Sequence, residues 1–421
     1  LSACSLTHQA QKEYISDLRE IPQDPFVFTQ RINKGFIGDG SAYKAAYFSP
    51  WNITAFDIPQ EKAMWAYNVF TPQKSYGENL QPIDQGFFDA ILMNSNFKDY
   101  ATVNKRAVTL RHLNLRAFPT KRPLLRDPNK AGEGFPFDYL QNSTIEANKP
   151  LFVSHYSKDK AWVFVKSSFA YGWVRTSDIV FIDKKDSDTW QQMAQVFLLT
   201  DNDPIYSQNG NYLFRTHIGM MLPLIQENNK SYTVMTISKF KENEPYFRES
   251  NISKNISHNG ILPFNSANID AIINELLKVN YGWGGMYSQR DCSSTMRDFF
   301  APFGIWLPRN SYQQSQVGKV ISLKDLSDEE KIAKIKKYAV PFETLLYRKG
   351  HIVLYAGTYH DKIVIFQNLW GVKTKSDGKE GRYIIGRTIF STLEVGENLE
   401  DFDEEGSLLH GLESMNIVSK S

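Results

Sequence analysis

One stretch of the chain, residues 281–309 (YGWGGMYSQRDCSSTMRDFFAPFGIWLPR), places a cysteine in a setting that suits nucleophilic chemistry. Cys292 precedes a run, residues 293–300, whose pattern predicts a helix. A thiol in the first turn of a helix meets unpaired backbone N–H groups and the positive end of the helix dipole. Both are expected to favour the thiolate, the nucleophilic form. The alternative for such a residue is an inert, buried small hydrophobe.

A catalytic thiol needs a base within reach and a group that orients the base. Histidine occurs at positions 8, 112, 155, 217, 258, 351, 360 and 410. His351 opens a strand-like run, HIVLYAG, and a second run, IVIFQ, follows at 363–367. A hairpin with the three-residue loop Thr358, Tyr359 and His360 sets Gly357 opposite Asp361 and His351 directly opposite Gln367. Such partners have Cβ atoms about 5 Å apart. Gln367 then engages one imidazole nitrogen and leaves the other for the thiol. A slip of one residue would exchange Gln367 for Asn368. His360 falls at the hairpin tip, in solvent.

These residues need a frame. Ile269, Ile272, Ile273, Leu276 and Leu277 form one apolar helical stripe that leads into YGWGG, with Ser266 or Asn268 as its cap. Ser327 and Glu330 have capping-box spacing at the head of a charged helix, read as a surface insertion. Upstream, six short strand-like runs between residues 107 and 181 predict a small barrel. Residues 196–239 repeat that texture and predict a second barrel. The charged run 183–188 reads as the linker between them, and the polar run 247–260 as a linker to the C-terminal domain. Residues 1–102 read as a helical and irregular leader, with short helices at 9–18 and 58–67 and a further helix and loop over 84–99. The acidic tail after Gly396 reads as peripheral. The fold class expected is α+β, with domains at 1–102, 103–186, 190–246 and 260–421.

The chain of 421 residues is too long for one core. A net charge of +2 gives no field suited to polyanions, so nucleic acid is not an expected partner. No run of 18 apolar residues exists to form a spanning helix. With two cysteines, Cys4 and Cys292, neither a disulfide framework nor a CxxC metal site is available. Leu1-Ser2-Ala3-Cys4 has the form of a bacterial lipobox, in which Cys4 is lipidated; the alternative is a chance run of small residues. A lipidated Cys4 would hold the protein at a membrane surface.

Taken in order, YGWGG, Arg290-Asp291-Cys292-Ser293-Ser294, Leu307-Pro308-Arg309-Asn310-Ser311 with Gln314, His351 at a strand start and Gln367 on the next strand resemble the NlpC-type family of cell-wall cysteine peptidases. The resemblance covers residues 266–390. The barrels resemble bacterial Src-homology-3-like (SH3-like) modules, and the leader with FSPWN at 48–52 resembles a stabilising segment of one branch of that family. The resemblance implies a papain-like domain that hydrolyses peptidoglycan stem peptides, typically between D-γ-glutamate and a diamino acid. It makes Cys292 the nucleophile and His351 the base. Gln367 takes a position where the family often has histidine, and an amide stabilises imidazolium less than a carboxylate would. Asp291 and Ser293 would hold the free amino end of a stem peptide; Asp291 is equally an N-cap. Tyr281 and Trp283 would wall the cleft or pack. Arg309 would meet a substrate carboxylate or pair within the domain. The Cys292 N–H would donate to the oxyanion. No metal or cofactor is implied, and a monomer in the periplasmic cell envelope is expected. Two alternatives stay open: a non-catalytic wall-binding lipoprotein, and acyl transfer or amide hydrolysis on the same fold.

Overall fold

The C-terminal domain is built on apolar patterns that lie far apart in the chain. The helix Ser266–Leu276 buries Ile269, Ile272, Ile273 and Leu276 completely. Each such side chain contributes about 1.5–3 kcal/mol on burial. Asn265, not the expected Ser266 or Asn268, caps the helix by accepting from the Asn268 N–H. The Ser266 hydroxyl instead donates to the carbonyl of Thr29 at 2.9 Å. The helix Cys292–Phe300 adds Met296, Phe299 and Phe300 to the same core. In this computed structural model, which describes residues 14–30, 32, 38–240 and 244–419, both helices pack on a six-stranded antiparallel sheet.

The strand order is Lys319–Ser322, Leu412–Ile417, Thr344–Arg348, His351–Tyr359, Lys362–Ser376, Lys379–Thr392. Ile352, Leu354, Val364 and Phe366 face the two helices. Val353, Tyr355, Ile363 and Ile365 face the opposite layer, where the helix Asp328–Tyr338 packs through Ile335. The expected Ser327–Glu330 capping box is present. The strand Leu412–Ile417 lies inside the sheet with Leu412, Met415 and Ile417 buried. The tail after Gly396 therefore returns to the core, contrary to its peripheral reading. The acidic stretch before it masks a short strand whose apolar residues are interspersed with polar ones.

All six strands expected for the first barrel form within a seven-stranded antiparallel sheet; the seventh, Gln141–Ile145, has too polar a sequence to read as one. The second barrel is a five-stranded sheet with a small hairpin, Pro204–Tyr206 and Tyr212–Arg215. Its strands Pro245–Ser253 and Ser257–Asn259 occupy the stretch read as a linker. Pro245–Ser253 pairs along its length with Ser231–Lys239, and most of its residues stay at least partly exposed, Ser250 and Ile252 being buried. The charged run at 183–188 starts the helix Lys184–Gln192, capped by Asp183.

The leader carries short helices, including Gln85–Ser95, with Gln60–Ala63 and Trp65–Val69 in place of one helix over 58–67. It ties the domains together. Trp51 of FSPWN is fully buried and donates from Nε1 to the carbonyl of Ala107 in the first barrel. Gln23 forms two hydrogen bonds with the backbone of Phe390, and Asp17 accepts from the Thr392 N–H. The leader thus satisfies the free edge of the last sheet strand, which sheets otherwise leave open to pairing. Cys4, and residues 9–13 of the helix expected at 9–18, lie outside the described residues; the described part holds the helix Asp17–Glu20.

Candidate active site

Cys292 is the first residue of its helix. Asp291 caps it: Oδ1 accepts from the Ser294 N–H at 2.8 Å, and the Ser294 hydroxyl accepts from the Asp291 N–H at 2.9 Å. Arg309 completes the cap, with Nη2 donating to Asp291 Oδ2 at 2.7 Å and Nη1 to the Ser293 hydroxyl at 2.8 Å. The cap and ion-pair readings of Asp291 and Arg309 are thus one arrangement. Gln314 donates to the carbonyls of Ser293 and Pro308, both at 2.8 Å, and so joins the LPR loop to the helix.

The thiol departs from the charge state expected of it. Burial pushes Cys292 up to about 12, and the Asp291 carboxylate adds to the rise. Backbone N–H groups of Ile352 and Ser293 and the Arg309 charge oppose it without prevailing. Desolvation therefore outweighs the helix terminus, and the unliganded protein holds a neutral thiol. Burial also lowers His351, to about 4, against the opposing effect of its hydrogen bond to Gln367. The pair rests uncharged.

His351 and Gln367 meet, though not as direct cross-strand partners. The hairpin turns on two residues, His360 and Asp361, both at positive φ, and the register shifts between Tyr355 and Gly357. The pairing Leu354↔Phe366 then sets Gln367 diagonal to His351. The side chains close the gap, with His351 Nε2 and Gln367 Oε1 at 2.8 Å. Ser391 on the next strand fixes the direction of this bond. Its hydroxyl donates to the carbonyl of Thr392 at 3.0 Å and accepts from Gln367 Nε2 at 2.8 Å. The amide oxygen therefore faces the imidazole, Nε2 carries the proton, and Nδ1 is left as an acceptor. Asn368, the alternative partner, instead donates to the carbonyl of Arg290 at 3.0 Å.

Cys292 lies where two cavities meet. The larger, about 710 Å³, runs between the first barrel and the C-terminal domain, and Tyr281, Trp283, Asp291 and Ser293 line it. The smaller, about 280 Å³, is shared by Cys292, His351 and Gln367. Burial and the nearby Cys292 and Asp291 hold Tyr281 well above the usual phenol range, so it is a neutral donor. Trp283 donates from Nε1 to the carbonyl of Asp138 at 2.9 Å and packs its ring against Phe137 and Tyr139. The glycines of YGWGG are the docking point of the barrel. Gly284 and Gly285 have φ of 58° and 83°, and a Cβ on Gly284 would stand 2.6 Å from the carbonyl oxygen of Gln141. Only glycine combines that backbone with that approach.

Arg290 stands in the motif around Cys292, but the sequence assigns it no role. It is fully buried, forks onto Asp201 of the second barrel, and donates from Nε to Asp298 at 2.7 Å. His217 meets the same Asp298 carboxylate at 2.8 Å. These partners lie 73 to 89 residues from Arg290, apart from Asp298. No local pattern could reveal them.

Residues 278–366 match the NlpC/P60 family model. Residues 1–100 match the N-terminal NLPC_P60 stabilising domain, 123–175 an SH3 domain of SH3b1 type, and 183–228 an SH3 domain of SH3b2 type. Among curated proteins, none matches the chain. Its structure resembles that of an NlpC/P60 endopeptidase from Photobacterium damselae subsp. piscicida, at 24% identity and a TM-score of 0.81, over 95% of this chain and 98% of that one. An NlpC/P60 family protein from Bacillus cereus ATCC 10987 aligns at 15% identity and a TM-score of 0.50, over 74% of this chain and 99% of that one.

Proposed function

Since the chain belongs to the NlpC/P60 family, with bacterial SH3 domains between its stabilising segment and its C-terminal domain, we infer that it is a cysteine endopeptidase acting on peptidoglycan stem peptides. The bond we assign is that between D-γ-glutamate and the diamino acid. The observation that carries the reading is the directed relay Ser391–Gln367–His351 beside a buried thiol at the junction of two cavities.

The reaction starts from the neutral pair. As substrate enters, the Cys292 thiol passes its proton to His351 Nδ1 and the sulfur attacks the carbonyl carbon. The Cys292 N–H, in the first helical turn where no intrahelical acceptor exists, donates to the developing oxyanion. The imidazolium returns its proton to the leaving amine, and water then releases the acyl group with His351 again as base. The neutral Gln367 amide orients the imidazole but adds no charge to stabilise the imidazolium, which agrees with the lowered pKa of His351. Tyr281, Trp283, Asp291 and Ser293 form the acyl-side wall. Asp291 shares its charge with Arg309, so it would attract a substrate ammonium less strongly than a free carboxylate. Cys4 is proposed as a lipid attachment point that holds the enzyme in the periplasmic envelope.

Incubation with a defined muropeptide tests the reading. Cleavage by the wild-type protein at the γ-D-glutamyl bond, absent in Cys292→Ala, is expected. Equal cleavage by both would refute it, and peptidoglycan binding without cleavage by either would favour a wall-binding protein.

A further inference from the structure

We propose that the N-terminal leader takes part in orienting the catalytic base: Asp17 and Gln23 are positioning residues that hold Ser391 in place and, through it, the Gln367 amide that meets His351. This deepens the endopeptidase reading above and rests on it. The leader and the relay meet on one strand, Lys379–Thr392, which is the edge of the sheet. Residues along such a strand direct their backbone groups alternately towards the neighbouring strand and away from the sheet. Phe390 and Thr392, on either side of Ser391, are two outward residues, and both bond to the leader. Among the described residues, no further strand pairs with either from outside.

Side chains of the leader take the place of that missing strand. Gln23 Oε1 accepts from the Phe390 N–H at 3.0 Å and its Nε2 donates to the Phe390 carbonyl at 2.8 Å, so one amide spans both backbone groups. Asp17 Oδ2 accepts from the Thr392 N–H at 2.5 Å. The carbonyl of the same Thr392 accepts from the Ser391 hydroxyl at 3.0 Å, which leaves the hydroxyl oxygen to accept from Gln367 Nε2 at 2.8 Å. Asp17 thereby fixes the residue that fixes the Ser391 proton. Asp17, Ser391 and Thr392 are all buried, so loss of the carboxylate leaves a buried N–H unsatisfied. Phe28 of the leader packs its ring on Phe390, with centroids 4.8 Å apart, and Phe390 packs in turn on Phe366, next to Gln367.

The direction of the relay depends on this hold. Gln367 presents its oxygen to His351 while the Ser391 hydroxyl oxygen takes the amide nitrogen. A loosened Thr392 frees the Ser391 hydroxyl to turn its proton to Gln367, and the amide then presents its nitrogen to the imidazole. That arrangement puts the histidine proton on Nδ1 and leaves no acceptor for the thiol proton. A third leader contact supplies the comparison. Thr29 Oγ1 donates to Asp270 at 2.6 Å, on the helix Ser266–Leu276, and touches neither Ser391 nor Thr392. It fastens the leader with a bond of the same kind that is no link in the relay.

NMR of the full chain with isotopically labelled histidine reads the tautomer of His351 without any need for hydrolysis, the ring being assigned against His351→Gln. The wild-type ring should carry its proton on Nε2. Asp17→Ala and Gln23→Met should each turn it into a mixture with the Nδ1–H form. Asp17→Asn, which keeps an acceptor for the Thr392 N–H, and Thr29→Val should leave it unchanged. With a muropeptide as substrate, Asp17→Ala and Gln23→Met should lower kcat by roughly three- to tenfold with KM little changed, the value of one hydrogen bond acting through the base. In the Ser391→Ala background the same substitutions should lower kcat by less than about twofold, because the link is already cut. Gln23, half-buried, carries the test if Asp17→Ala fails to fold. A wild-type proton on Nδ1, a tautomer that neither variant moves, an equal fall in Thr29→Val, or full additivity with Ser391→Ala overturns the proposal. If the wild-type protein cleaves no muropeptide, the endopeptidase reading fails separately, and the tautomer still decides whether the leader holds the relay.

Discussion

Gln367 donates from its amide nitrogen to the Ser391 hydroxyl at 2.8 Å, and that bond decides which end of the amide His351 meets. Ser391→Ala removes the anchor and lets the amide rotate. The expected result is a fall in kcat of roughly tenfold with KM little changed, in line with the loss of one buried hydrogen bond that orients the base. An equal fall produced through KM alone would speak against an orienting role.

The acid limb of kcat/KM should lie near the lowered pKa of His351, about 4, because protonation of Nδ1 removes the base. Below it the rate should fall about tenfold per pH unit. With the thiol raised to about 12, no second limb is expected between pH 6 and 9. A bell with a low acid limb and an alkaline limb below about pH 9, from loss of the imidazolium proton, would show that the pair rests as a thiolate–imidazolium ion pair instead. Gln367→Glu should move the acid limb upward, since a carboxylate favours the imidazolium.

Much of this site is legible in the sequence, and the missing parts have physical causes. Cys292 at a helix start, the Ile269–Leu276 stripe and the Ser327 cap are local patterns, and the structure keeps them. The His351–Gln367 contact is also kept, although the register behind it was wrong. A register shift between Tyr355 and Gly357 and a two-residue turn at positive φ cannot be counted from strand spacing. The strand Pro245–Ser253 reads as linker because its partner, not its own apolarity, makes it a strand. The neutral thiol was missed because burial is a tertiary property, whereas the helix terminus is a local one.

Gly284→Ala should displace the first barrel from the cleft. The position combines a φ of 58° with a Cβ clash against Gln141, so a loss of about 1–3 kcal/mol is expected. Chemical denaturation should show the loss, and KM should rise as the barrel-side wall of the cleft shifts. A variant with wild-type stability and KM would separate the barrel from substrate binding.

Arg290→Met leaves Asp201 and Asp298 buried without their shared partner. Breaking a buried pair from one side costs about 3–5 kcal/mol, which should appear as a marked fall in the denaturation midpoint. A midpoint close to wild type would mean that the clamp between the second barrel and the Cys292 helix contributes little.

The account stands on Cys292 as the nucleophile, and mass spectrometry of the intact protein tests this most directly. After rapid acid quench during turnover of a muropeptide, the protein should gain the mass of the acyl half of the substrate, less the proton lost from the thiol. Proteolytic mapping should place that adduct on Cys292. Continued turnover with no adduct, together with undiminished cleavage by Cys292→Ala, would contradict the account.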